Sequence, residues 1–226
     1  MHSIDRPCVS RPAVGAGRLL AERLDLSKFR LAGGTALAWA LGHRRSDDLD
    51  FFTREPGGLG LAAQTRLASN LRTLPDVGSV DLHGERTLHA TVMGCRVSFF
   101  EIQGKWLSSV EMTKEGLALA RLDDIAAMKV VSVLTRSAKK DFYDLHALRQ
   151  HGYGAVRLFE LAKGSLPDQI DAEVAQTLVR ALLDFSDADL DPDPMSLDGT
   201  TWRAAKQTAS ALSHELEAAL RRNRIP

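Results

Sequence analysis

The chain has 226 residues, 44% hydrophobic and 26% charged, the balance of a globular protein with room for one large or two modest domains. Its 29 Lys and Arg equal its 29 Asp and Glu, which excludes a generic basic nucleic-acid coat but leaves room for a local basic site. No apolar run approaches the ~18 residues of a membrane helix, and the N-terminal segment has no signal-type apolar stretch. Cys8 and Cys95 make neither a disulfide framework nor a four-ligand zinc site, so a cytoplasmic protein with no membrane partner is expected.

In chain order, the first ~15 residues, with Pro7 and Pro12, read as a loose arm, and helical spacing appears at 17–27. A strand FRLA runs into Gly33-Gly34 and an Ala/Leu-rich helix at 35–42, followed by a short strand Leu49–Thr53 and an amphipathic helix at 60–74. From 77 to 102 the period changes to two, which predicts an antiparallel meander. Helical patterns then recur at 122–136, 138–150, 155–163, 171–184 and 201–222. Residues 184–198 hold six Asp and no Lys or Arg, and read as an ordered acidic loop. The expected organisation is an N-terminal arm and helix (1–27), an α/β domain (28–120) and a helical C-terminal region (121–226).

Two adjacent features carry chemistry. Gly33-Gly34-Thr35 lets the backbone approach a ligand closely, with Thr35 as an N-cap candidate and helix N–H groups suited to phosphate. Asp48 and Asp50, at i and i+2 of one strand, lie on the same face while Leu49 and Phe51 turn to the core. Adjacent carboxylates repel, and a shared proton or a divalent cation relieves them; Mg²⁺ suits such oxygen ligands. Arg44, Arg45 and Ser46 lie between the two features.

The stretch GGTALAWALGHRRSDDLDFF resembles the signature of the DNA polymerase β-type nucleotidyltransferases, and more narrowly the AbiEii/AbiGii toxin family. DIAAMK at 124–129, Arg136 and KDFYDL at 140–145 are similar to a second block of that family. A looser third match runs from Phe185 through Asp187, Asp189 and Asp191 to Trp202 and Lys206. The resemblance implies an α+β fold: a minimal polymerase β-type domain with a mixed sheet, followed by helices. It also implies that Asp48 and Asp50 hold Mg²⁺ or Mn²⁺ carrying an NTP, and that Gly33, Gly34 and Thr35 hold its distal phosphates. Arg44, Ser46 and Arg136 become nucleotide-binding candidates, and Lys129 and Asp141 join Asp48 and Asp50 as catalytic candidates.

Lys129 and Arg136, seven apart, share a helix face that reads either as a solvated basic stripe or as a phosphate-facing one. Asp141 and Asp144 read as dipole-favoured acids near a helix start or as site carboxylates, with Lys140 a candidate partner for Asp144. Five Lys and Arg against two Asp over 129–149 give a local charge of +3. The acceptor implied is an RNA, such as tRNA, or a protein, and the chain would be the toxin of a toxin–antitoxin pair with a cognate antitoxin. One position departs from the polymerase β pattern: Ser98 stands where a third carboxylate is expected, with Glu101 three residues further on, an odd offset that turns it to the other face. The alternative reading is therefore a weak or inactive nucleotidyltransferase-fold module that binds nucleotide or a partner protein.

Overall fold

The structure, a computed structural model, describes residues 2–84 and 86–222; Met1, Glu85 and 223–226, which the expected segments include, lie outside them. The chain divides into two compact units at Arg121/Leu122. The fold is mixed α+β, with the sheet in the first unit and helices alone carrying the second.

The first unit begins with α1 (Arg11–Arg23) and β1 (Phe29–Ala32). There follow α2 (Gly33–Leu41), β2 (Leu49–Thr53) and α3 (Leu61–Arg72). Then come β3 (Val77–Leu82), β4 (Thr87–Val92), β5 (Cys95–Phe100), β6 (Glu111–Met112) and β7 (Ala118–Leu119). They form one seven-stranded sheet in the order β3-β4-β5-β2-β1-β7-β6. β2 and β5 run parallel, as do β1 and β7, and the remaining pairs are antiparallel. Alternation sorts the faces: Leu49, Phe51, Val97, Phe99 and Leu88 are buried, while Asp50, Phe52, Phe100 and His89 on the other face are half-buried.

The N-terminal segment is not a loose arm. Ile4, Cys8 and Val9 are buried, Val9 bridges Ser46 in parallel, and Ser10 caps α1 by accepting from the Ala13 amide. Pro12 falls in the first helical turn, where its missing N–H costs nothing, so the proline that suggested a flexible arm in fact starts a helix. Trp39 is buried as expected, with its indole N–H on the Ser3 carbonyl at 2.9 Å.

The second unit comprises α4 (Leu122–Thr135), α5 (Lys139–Gln150), α6 (Ala155–Ser165), α7 (Ala172–Ala181) and α8 (Trp202–Arg221), with a short 3-10 helix at Ala188–Leu190. Its core gathers Val130, Phe142, Leu145, Leu158, Phe159, Leu178, Leu212 and Leu216. The acidic loop is ordered by its charges. Asp189 accepts from the Trp202 indole at 2.7 Å and pairs with Lys206 at 2.6 Å, and Asp191 accepts from the Lys139 amide at 3.0 Å. Phe142, Phe185 and Trp202 meet edge to face, and Tyr143 stacks on Trp202. No helix among the described residues is long and apolar enough to cross a membrane.

Candidate functional site

In the first unit the β1–α2 turn and the start of β2 come together. Gly33 has φ +65°, and a Cβ there would sit 2.7 Å from Asp50 Oδ2; a Cβ on Gly34 would meet Arg44 Nη2 at 2.6 Å. The two glycines therefore make room for a carboxylate and a guanidinium at the N-terminus of α2. Register confirms the approach, since Ala32 at the end of β1 pairs with Asp50. Ala32, the residue before α2, provides no side-chain cap.

Thr35 is not the N-cap. It is the third residue of α2, within the first turn, and is buried, with its hydroxyl donating to the Asp48 carbonyl and lying 2.8 Å from the Ser46 hydroxyl. Thr35 and Ser46 thus hold the loop that delivers Asp48 and Asp50. Asp48 immediately precedes β2 and Asp50 is its second residue, so only Asp50 is on the strand itself. Arg44 is buried, with Nη1 on the Arg45 carbonyl at 3.1 Å, and Arg45 is exposed beside Asp47. His43 is also buried.

The electrostatics are read by Cys95 beneath this loop. Burial pushes its thiol up to about 12, and the nearby Asp48, Asp47 and Asp50 add to the shift. A concentration of negative charge with oxygen donors is what a hard divalent cation neutralises. Among the described residues no three His, Cys, Asp or Glu are grouped to hold a metal ion, and the oxygen donors that this loop delivers at the start of β2 are Asp48 and Asp50. That fits Mg²⁺, which keeps waters and substrate phosphates among its ligands.

Ser98 is the β5 residue in register with Asp50. His89 on β4 is in register with Ser98, and its Nδ1 lies 3.1 Å from the Ser98 hydroxyl. Burial lowers the His89 pKa, with Arg96 and His83 adding and Asp50 and Asp81 opposing. Glu101 belongs elsewhere: its carboxylate accepts from the Leu59 amide at 3.1 Å and pairs with Arg86 at 3.4 Å, three residues and ~10 Å along from Ser98. His89 lies 39 residues from Asp50 with no local motif to announce it; only the strand pairing brings it near.

The second unit holds a separate charged cluster. Lys129 on α4 is buried, with Nζ 2.9 Å from Asp141 and 2.6 Å from Asp144, both on α5 and both fully buried. Arg136 grips Asp141 with two bonds, Nε at 2.9 Å and Nη2 at 3.1 Å. Burial alone would raise the Asp141 carboxyl, but Lys129 and Arg136 outweigh it and hold it below the usual carboxylate range. Lys129 is thus not a side chain lining an open cleft, and Asp144 turns inward to Lys129 while Lys140 stays exposed. A groove of about 720 Å³ runs along α8 between Trp202 and His214 and includes none of the expected site residues.

This mixed sheet, with its Gly-Gly turn entering a helix beside a strand-borne carboxylate, agrees with the nucleotidyltransferase class that the sequence resembles. The chain belongs to the family described as nucleotidyl transferase AbiEii toxin, type IV TA system, which matches residues 18–103 and 114–222. It is 38% identical over 165 residues to an uncharacterised protein of Aquifex aeolicus (strain VF5), covering 71% of this chain and 75% of that one. The fold is similar to that of MenT4, a nucleotidyltransferase toxin of Mycobacterium tuberculosis H37Rv: TM-score 0.60, 16% identity, 98% of this chain and 90% of that one.

Proposed function

We propose that the chain is a cytoplasmic, metal-dependent nucleotidyltransferase that moves a nucleotide from an NTP to an RNA, with tRNA a suitable acceptor, and that it acts as a toxin opposed by a cognate antitoxin. One observation carries this reading: Gly33 lacks the Cβ that would collide with Asp50, so a carboxylate lies against the N-terminus of a helix without a side-chain cap.

In this reading the α2 N–H groups at Gly33 and Gly34 bind the distal phosphates. Thr35 and Ser46 fix the loop, Arg44 adds positive charge beside Gly34, and Asp48 and Asp50 hold Mg²⁺ or Mn²⁺. The divalent ion supplies charge neutralisation on the triphosphate. The acceptor hydroxyl oxygen bonds to the α-phosphorus as the α–β bridging P–O bond breaks; pyrophosphate leaves and the hydroxyl proton passes to water. Lys129, Arg136, Asp141 and Asp144 serve as a fixed charge cluster, with Lys129 and Asp141 its central pair. A second reading, nucleotide binding with weak or no turnover, is favoured by Ser98 in register with Asp50.

The test is a thermal melt with Mn²⁺ and ATP, GTP, CTP or UTP. A ligand that binds only the native state raises the melting temperature. Asp50→Asn should abolish the shift while leaving the ligand-free protein at least as stable. A mutant that keeps the full metal-dependent shift rules out the carboxylate pair as the ligand.

A further inference from the structure

The sheet face that carries Asp50 continues past it into a row of rings. Register pairs Phe52 with Phe100 across β2 and β5, two residues along from the Asp50–Ser98 pair and hence on the same face, ~7 Å away. The two rings stack, with centroids 5.0 Å apart and planes 29° apart. His89 meets the edge of Phe100 at 5.8 Å, and His83 lies 5.7 Å beyond it. Phe52, Phe100 and His89 are each half-buried, while Arg96, two residues before Ser98 and on this same face, is exposed. Thus β2, β5 and β4 present rings and a cation on the side of the sheet opposite the core.

Position along the sheet gives the row its meaning. Gly33 and Gly34 follow β1, on one side of Asp50; Ser98, Phe100 and His89 lie on β5 and β4, on its other side. In phosphoryl transfer the attacking and leaving oxygens are roughly in line across the phosphorus. With the triphosphate held at the α2 N-terminus, the leaving pyrophosphate lies on the β1 side and the acceptor enters from the β5–β4 side. Stacked rings flanked by Arg and His on an open sheet suit an unpaired nucleobase with its phosphate, the chemistry by which sheet surfaces take single-stranded RNA.

We infer that Phe52, Phe100 and His89 form the acceptor seat, stacking the terminal nucleobase of a single-stranded RNA, with Arg96 against its backbone. The inference rests on the nucleotidyltransferase reading above. The ring chemistry would serve the base of the NTP equally, so the experiment separates the two sources.

Affinity for a fluorescein-labelled single-stranded RNA decamer of mixed sequence is read by anisotropy on the full chain, beside the Mn²⁺–NTP melting shift. Phe52→Leu and Phe100→Leu keep apolar bulk but remove the ring. Each should weaken RNA binding roughly 5- to 150-fold and leave the NTP shift intact. Phe100→Trp should retain RNA binding, and circular dichroism melts check that each variant folds. RNA affinity unchanged in both Leu variants overturns the seat. So does loss of the NTP shift with RNA affinity intact, which would give the rings to the NTP base. A wild type that shows the NTP shift but binds no RNA, or that transfers label to protein independently of Phe100, also overturns the seat while leaving the nucleotide site standing. Absence of the NTP shift in wild type is instead the failure of the nucleotidyltransferase reading.

Discussion

At the scale of single residues, the site depends on what is missing from Gly33. A methyl there would both strain a backbone at φ +65° and press on Asp50 Oδ2. Gly33→Ala should therefore cost about 1–3 kcal/mol of stability and abolish the Mn²⁺–NTP melting shift. Gly60→Ala is the control, since nothing lies within 4 Å of its Cβ position and its φ is −66°; denaturant melts should separate the two. Cys95 reports the same pocket from below. Its thiol, pushed up to about 12 by burial and by Asp48, Asp47 and Asp50, stays protonated at pH 8. Iodoacetamide at that pH should spare Cys95 in the folded protein and label it only after unfolding, as mass spectrometry would show. Rapid labelling of the native protein would contradict a buried thiol facing negative charge.

Between elements, α4 and α5 are joined by charge as much as by apolar packing. Removing Lys129 leaves Asp141 and Asp144 buried with a principal partner gone, and breaking a buried pair from one side costs about 3–5 kcal/mol. Lys129→Ala should lower the chemical-denaturation midpoint accordingly; a change below about 1 kcal/mol would mean that solvent already reaches the pair. The cluster also sets an acid limit. Because the folded Asp141 carboxyl titrates below its unfolded value, its contribution is present above about pH 4, the unfolded carboxylate range, and is lost as pH falls through the lower folded value. Asp141→Asn should remove that part of the acid limb in a pH series of melts while lowering stability at neutral pH.

For the whole molecule, local periodicity carried most of the fold into the sequence. The helix and strand boundaries of α3, β2, β4 and α4 through α8 follow from repeat length and punctuation, because each is decided by neighbours along the chain. Pairing across distance is not written that way. Nothing near Cys95–Phe100 announces a parallel partner at Leu49–Thr53, and so His89 and the ring row beyond Asp50 stayed hidden until the strands were in register. The short β6 and β7 carry too few residues for a period to show. Of the candidate residues, the glycines and aspartates were legible because a close backbone approach and a carboxylate pair leave residue-type signatures. The burial of Lys129 is not legible in the sequence, because a buried lysine looks like an exposed one until its two carboxylates arrive from the next helix. The proposed function requires Asp48 and Asp50 to act with NTP in group transfer, and one measurement reaches that directly. The protein is incubated with labelled NTPs, Mg²⁺ and total RNA, and compared with the Asp48→Ala/Asp50→Ala double variant. Label in RNA with wild type and none with the variant is the expected result; label incorporated equally by both, or by neither, would contradict the proposed function.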